Sequence, residues 1–592
     1  EDLGMIPDSV PETMRALQIL SLEIQRMPKS LGEVFADPAR YPYGSQVMAA
    51  CKRWPMNVAA LDAPDRVNWP LRRVGERGSG KWERVSWETA LDDIAARLLA
   101  LADESGPETL ASAIGGPHAS FWPLHRFMNL FGSPNNMGIG QICWNPRVWM
   151  DMVAFGWSVE ADIVPGLTDC LVLWGTNPAQ SDNSAFWRHI RAYAEGEGAL
   201  VVVDPRRTEA AALADVWLPV RPGTDAVLAL GLLNVIIGER LYDASFVDAW
   251  CSGFDELARA VAPLAPEAVA VTCGVPADDI RRAARLFSGG RASALVSGRG
   301  IDQIGAAVAP THRALCCLRA ITGNVDKPGA CVLAEAPDFT SELAMEMSDA
   351  MPASCRAAAL GPYRTPLQSY AGYDALRALT ERLGRTPPMR YLTSAHPDLV
   401  LRAMEEGRPY PIRALIVQAT NPLLTYGDTA RVRRALSALD LLVVLEYRLT
   451  PTAQLADYVL PIAGALERPV LQVHGGIANA AYGGPAAVAP YYERRCDYDV
   501  FRELGRRLGQ AEFWPEETLE DAFAAQLATA GLTWEEFCSE GTYWPRPAYA
   551  KHEALGAAPC RVRHDDGQNR ARKRVSAFPR RQPPARARAW GS

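Results

Sequence analysis

Cys143 stands in GSPNNMGIGQICWNPRVWM, residues 132–150, among Gly, Asn and Pro. A thiol in such a loop either packs into the core or turns its sulfur into a cavity to hold a ligand. A second set of residues recurs where β-branched runs end. LWGTNPAQS (173–181) offers Gly175, Thr176, Asn177 and Ser181; VVVDPRRTEAA (201–211) offers Asp204, Arg206, Arg207 and Thr208. RPGTDAVL (221–228) puts Gly223, Thr224 and Asp225 at a helix start, and QATNPLLT (418–425) repeats the Asn-Pro turn with Thr420 and Asn421. Amides, hydroxyls and the free N–H groups of helix starts suit phosphate oxygens. Arginine suits a diphosphate bidentately, and Asp accepts from the N–H groups of a guanine. Asp225 serves equally well as a helix cap. The cradle occurs twice, which points to a ligand with two nucleotide arms. A nicotinamide fingerprint is incomplete: SGRGIDQIG has Gly298 and Gly300, but Gln303 where the third glycine belongs.

The elements that must carry these residues alternate. Segments 89–102 and 225–238 have the three- and four-residue apolar spacing of helices. DCLVLWG (169–175), ALVVVD (199–204), SALVSG (293–298), RALIVQA (413–419) and LDLLVVLE (439–446) read as buried strands. Strand–helix alternation predicts an α/β, multidomain chain of two pseudo-symmetric α/β units with mostly parallel sheets. The expected division is residues 1–68, a discontinuous α/β domain of 69–140 plus 331–555, a nucleotide-binding α/β domain of 141–330, and a disordered basic tail of 556–592.

The chain has 592 residues, too many for one core. With 48% hydrophobic and 22% charged residues it reads as globular. No apolar run approaches the roughly 20 residues needed to cross a bilayer. A formal charge of −7 gives no reason to expect nucleic acid as a partner. Twelve cysteines are scattered without a CxxC pair, which argues against a local zinc or iron–sulfur loop and leaves most as buried thiols, Cys316 and Cys317 among them.

Order and spacing go further than any one motif. RVNWPLRRVGERGSGKWERVSWETALDDIA, LHRFMNLFGSPN, DPRRTEAAALADVWLPVRPGTDAVLALGLLNVII, RAITGNVDKPG and TPTAQLADYVLPIAGALERP together resemble the molybdopterin oxidoreductase superfamily of the dimethyl-sulfoxide-reductase type, from about residue 50 to 555. The resemblance is strongest to acetylene hydratases and their polysulfide reductase and catechol dehydroxylase relatives. It implies a bis-molybdopterin guanine dinucleotide carrying molybdenum or tungsten, with Cys143 as the protein's metal ligand; soft thiolate matches a metal already held by dithiolene sulfurs. Gly138 and Gly140 would let the backbone approach, and Trp144 would wall the pocket. Asn177, Ser181, Asp204, Arg206, Gly223, Thr224 and Asp225, with Gly175 and Thr208 in the same turns, would hold one guanosine diphosphate arm. Thr420, Asn421, Glu446, Thr452 and Asp457 would hold the other, although Asp457 fits a strand-start cap equally well.

Two departures from the family shape the expectation. Relatives bind a four-iron four-sulfur cluster through four cysteines; here Cys51 occupies the place of the fourth, Arg53 stands where a Lys often follows, and residues 1–50 contain no cysteine. One thiolate cannot hold the cluster. The match stops near Gly556, where relatives continue into a β-barrel; the Arg/Pro-rich tail with nine Arg and one Lys against two Asp in 561–592 is expected to arise from a frameshift near Cys560.

The implied activity is a two-electron reduction or oxidation of a small molecule, with an electron-transfer iron–sulfur subunit as partner. His118 and Arg147 are the nearest residues for proton delivery or anion binding. Phe121, Trp122, Trp144, Trp149, Phe155 and Trp157 either shape a pocket for an aromatic substrate or fill the core. A non-redox hydratase or hydroxyl transferase on the same cofactor, and an inactive truncated scaffold, are the competing readings. Since the chain starts at Glu1, a cytoplasmic location and twin-arginine export are both open.

Overall fold

The computed structural model describes residues 54–116, 121–138, 143, 145–181, 184–196, 198–335, 337–364, 366–382, 395–473, 481–543 and 548–553. Cys51, His118, Gly140, Trp144 and the basic tail lie outside the described residues. The strands, in chain order, begin with β1 (Leu71–Arg73), β2 (Trp82–Arg84), β3 (Leu110–Ile114) and β4 (Asn136–Met137). Then come β5 (Val159–Ala161), β6 (Cys170–Trp174), β7 (Ala199–Val203), β8 (Val216–Leu218) and β9 (Ser293–Ser297). The last ones used here are β10 (Cys331–Leu333), β11 (Ala414–Gln418), β12 (Leu441–Glu446) and β13 (Tyr458–Pro461).

One sheet has seven strands in the order β2-β1-β13-β12-β11-β3-β4; another has four, β8-β7-β6-β9. β4, β3, β11, β12 and β13 are mutually parallel, and so are all four strands of the second sheet. Parallel strands must be covered on both faces. Accordingly β3, β6 and β11 are buried at every position. This is the α/β, multidomain architecture expected from the sequence.

The helices that matter below are α1 (Trp87–Ser105), α2 (Trp122–Phe131), α3 (Asn145–Phe155), α4 (Asp225–Gly238), α5 (Arg299–Asp302), α6 (Val308–Ile321), α7 (Glu342–Met345) and α8 (Asp497–Arg507). Local chemistry sets their ends. Ser86 caps α1 by accepting from the Thr89 amide, and Gly132 closes α2 in the left-handed conformation at φ +91°. The core of the larger sheet gathers Leu91, Ile94 and Leu98 of α1, Trp122 and Phe127 of α2, and Phe501 and Leu504 of α8. Leu228, Leu232 and Ile236 of α4 and Leu315 and Leu318 of α6 pack on the other. Phe121, Trp122 and Trp149 belong to the first core, whereas Trp157 and Phe155 pack in a small cluster beside β5 and β10.

Candidate functional site at the strand ends

Each sheet contains a point where the chain reverses the direction in which it adds strands. In the smaller sheet it runs β6, β7, β8 outward and then returns to place β9 on the other side of β6. In the larger one it runs from β3 to β4, then returns to place β11, β12 and β13 on the other side of β3. Ligands of open α/β sheets bind outside the carboxyl ends of the strands at such points. The two points are built alike. Residues Gly175 and Ala419, each immediately after its strand, are left-handed at φ +60° and +52°, and each opens a Thr-Asn-Pro turn. Across from them a glycine makes close approach possible. A Cβ on Gly298 would lie 2.2 Å from the Gly175 carbonyl oxygen and 2.5 Å from Thr176 Cβ; one on Gly115 would lie 1.8 Å from the Ala419 oxygen and 3.3 Å from Thr420 Cβ. Gly298 and Gly300 are therefore not a degenerate dinucleotide fingerprint but the contact surface of the β6 turn.

In the smaller sheet Asn177 Nδ2 donates to Glu209 Oε2 (3.0 Å), while its buried Oδ1 has no partner among the described residues. Gln180 Nε2 donates to the other Glu209 oxygen. Asp204 Oδ1 accepts from the Arg206 amide (2.8 Å), and the Arg206 side chain is exposed. Thr208 is buried and spends its hydroxyl oxygen on the Ala211 amide (3.2 Å). Gly223 has φ +86°, and a Cβ there would meet nothing within 4 Å. The turn therefore borders open space. Thr224 donates to the Arg221 carbonyl (2.7 Å). Asp225 lies beneath the turn, accepts from Trp174 Nε1 (2.9 Å), and is pushed up in pKa by burial. Its role at the start of α4 includes this buried bond. Ser181 is exposed.

The larger sheet gives a different picture. Asn421 Oδ1 accepts from the Thr452 hydroxyl (2.6 Å), and the fully buried Thr452 also accepts from the Leu423 amide (3.1 Å). This pair locks two loops together. Thr420 is half-buried. Glu446 accepts from the Tyr447 amide (2.7 Å), and burial raises its pKa. Asp457 is a correction. It precedes β13 and accepts from the amide of Leu442 at the start of β12 (2.7 Å), at the amino ends of the strands. Arg73 and Arg77 both pair with it. Its carboxylate is spent on joining strands, away from the carboxyl ends where the other residues gather.

In chain order Cys143 stands between β4 of the larger sheet and α3, and α3 packs against α5 and α6. The residue is half-buried and in no disulfide. Arg147 lies in the first turn of α3. It donates to the Val159 carbonyl (3.0 Å) and pairs with Glu160 (3.3 Å). Burial opposes its charge, but Glu160, Asp151 and Asp302 outweigh burial and raise its pKa. A guanidinium so held anchors α3 to β5.

Sequence reasoning missed several residues here. Gln418 Nε2, at the last position of β11, donates to Asp497 Oδ1 (2.6 Å) at the start of α8. Arg66, Glu467 and Arg494 form a fully buried network beside Tyr447: Glu467 pairs with Arg66 (3.2 Å) and Arg494 (2.7 Å), and the Tyr447 ring lies 3.7 Å from the Arg66 guanidinium carbon. Glu467 and Arg494 are 27 positions apart and Arg66 is 401 from Glu467, so no local pattern could reveal them.

The model for molybdopterin oxidoreductases matches residues 66–507. The chain belongs to that family. It is 34% identical to the acetylene hydratase of Syntrophotalea acetylenica over 83% of this chain and 68% of that one. It is 29% identical to the thiosulfate reductase molybdopterin-containing subunit PhsA of Salmonella typhimurium, over 81% of this chain and 61% of the relative. The solved acetylene hydratase from Pelobacter acetylenicus superimposes with a TM-score of 0.79 at 34% identity, covering 84% of this chain and 69% of that one. The chain thus spans between three fifths and about two thirds of these relatives' lengths. Members of the family are enzymes built around a molybdopterin cofactor. The residues present fit such a group: an open glycine turn at Gly223, an Asn177 acceptor with no partner among the described residues and an exposed Arg206 follow the strands of the smaller sheet, and the Cys143 thiol is half-buried.

Proposed function

We propose that this protein is a molybdenum- or tungsten-dependent oxidoreductase that carries out a two-electron reduction or oxidation of a small substrate, with two pterin guanine dinucleotides as cofactor and Cys143 as the protein's metal ligand. The observation that carries this reading is the duplicated switch point. Two sheets each present a left-handed residue, a Thr-Asn-Pro turn and a contacting glycine at their carboxyl ends, which suits a cofactor with two similar arms. When bound, the metal with its dithiolenes would supply the electron pair for a reduction or accept it in an oxidation.

The protein's own contribution is binding and orientation. Asn177, Arg206 and the Gly223–Thr224 turn hold one arm, with Asp204 and the buried Asp225 beneath it. Thr420 and Glu446 border the other, and the Asn421–Thr452 bond fixes the loop shape there. Cys143 would ligate the metal between them, and Arg147 keeps α3 in place. Electrons would pass to or from an iron–sulfur subunit.

A second reading, hydration without net electron transfer, is supported by the 34% identity to acetylene hydratase. Metal and guanine analysis of the purified protein tests the cofactor; turnover with and without an electron donor then separates the two reactions. Turnover that does not depend on a donor or acceptor would overturn the redox reading.

A further inference from the structure

The chain passes from the larger sheet to the smaller one through β5 and returns through β10, and these two strands pair as an antiparallel ribbon. The ribbon has a small core of its own: Trp157, Val159, Val325, Cys331 and Leu333, with Phe155 and Phe246 packed against it. An aspartate flanks each strand. Asp162, just after β5, accepts from the Gly329 amide (2.8 Å). Asp326, ahead of β10, accepts from the Leu333 amide (2.9 Å). Two positions before it, Asn324 accepts from the amide of Ser293, the first residue of β9 (2.9 Å). These aspartates therefore stand at the amino ends of the smaller sheet, opposite its switch point.

A third stretch of chain comes back to this ribbon. Residues 548–553 follow Tyr543, which packs against the core of the larger sheet. The Tyr549 hydroxyl donates to Asp162 (3.0 Å). Lys551 gives Asp326 both its ammonium (2.8 Å) and its amide (2.6 Å). The His552 ring stands edge-on to Phe246 and Trp250, with centroids 5.5 and 5.0 Å away; both belong to the helix Ala244–Trp250 of the smaller unit. The Ala550 amide donates to the Asp326 carbonyl (2.9 Å), and these two residues are left-handed at φ +57° and +49°. Residues other than glycine keep that conformation only where their surroundings hold them in it. The Asp326 side chain is wholly buried, and Lys551, 8% exposed, is its ion-pair partner among the described residues. Without the ammonium a buried carboxylate would be left uncompensated, which is strongly unfavourable.

We propose that residues 548–553 are a brace that fixes how the two α/β units sit relative to each other. Tyr549 and Lys551 tie the chain that leaves the larger core to both crossings between the units, and His552 ties it to a helix of the smaller one. The helix α3, packed between the larger core and α6, is a second link; the brace adds the cation that the ribbon's buried aspartate requires. One switch point lies in each sheet, so the brace sets the span that a two-armed ligand must bridge, without touching that ligand. This consequence rests on the function proposed above, whereas the brace does not.

The test is hydrogen exchange and small-angle X-ray scattering on the whole purified protein. Lys551→Met strands the Asp326 charge, so it is paired with the double variant Lys551→Met, Asp326→Asn, which removes both charges, keeps an oxygen for the Leu333 amide and stays folded. In the double variant, amides of residues 157–163 and 326–334 are expected to exchange about tenfold faster or more, those of β11 and β12 at the wild-type rate, and the radius of gyration is expected to rise. Tyr549→Phe should loosen the same peptides to a smaller degree. Unchanged ribbon protection, acceleration spread equally over all strands, or a loosened ribbon with unchanged scattering overturns the brace. Guanine lost from the double variant, whose changes lie at the far end of the sheet, supports the consequence for the span. Wild-type protein that holds no guanine but shows both effects refutes the function proposed above and leaves the brace in place.

Discussion

Adding one methyl group to Gly115 probes the contact that shapes the larger sheet's switch point. An alanine Cβ at this position would sit 1.8 Å from the Ala419 carbonyl oxygen and 2.7 Å from its carbon. Both are backbone atoms, so no side chain can swing away. Taking 3.0 Å as the closest approach, the two loops must separate by about 1.2 Å. Ala419 cannot absorb this cheaply, because it already occupies the left-handed region at φ +52°. Overpacking in a well-packed region typically costs about 1–3 kcal/mol, and a clash between backbones belongs at the upper end of that range. Gly115→Ala is therefore expected to cost about 3 kcal/mol in urea unfolding and to reduce the guanine content of purified protein. Gly427→Ala is the control, since a Cβ there meets nothing within 4 Å and its φ is ordinary. It should unfold within about 0.5 kcal/mol of the parent chain. A Gly115→Ala protein as stable as the control, with its guanine content intact, would refute the argument that this glycine sets the loop spacing.

Three further outcomes follow from the same reasoning. Asp457→Asn weakens the contacts to Arg73 and Arg77 and should cost about 1–3 kcal/mol in stability, yet leave cofactor content unchanged; lost guanine would return Asp457 to the site. Glu467→Ala leaves the buried Arg66 and Arg494 unpaired, and a loss of about 3–5 kcal/mol is expected in chemical denaturation. The Arg431 guanidinium, with Arg364, holds Asp398 below the usual carboxylate range. Since the folded pKa is depressed, this stabilisation is full above the unfolded value of about 4 and fades as pH falls through the folded one. Asp398→Asn should flatten that acid-side slope in unfolding measured across pH.

Which parts of this molecule can be read from sequence depends on how local their causes are. The buried strands are legible because DCLVLWG, RALIVQA and LDLLVVLE are too apolar to face water and too short to be buried helices. The turns after them are legible because Gly175 and Asn177 or Thr420 and Asn421 follow at once. What a strand's residues cannot reveal is which end of the sheet a flanking carboxylate serves. Asp457 has the right chemistry for a guanine, but its place before β13 gives it to two arginines and the amide of Leu442. Arg147 follows Cys143 closely in sequence, yet α3 turns it back onto β5. Gly298 and Gly300 count as an incomplete fingerprint until the β6 turn is seen against them. The Lys551–Asp326 contact and the Arg66–Glu467–Arg494 network join segments hundreds of residues apart, and only the folded chain brings them together.

Elemental analysis with guanine quantification, on purified wild-type protein and on Cys143→Ala, tests the proposed cofactor most directly. Wild type should contain molybdenum or tungsten with guanine at two per metal, and Cys143→Ala should lose metal while remaining folded. Wild-type protein without either component, or a Cys143→Ala variant with its metal and its metal–sulfur absorption unchanged, would contradict the assignment.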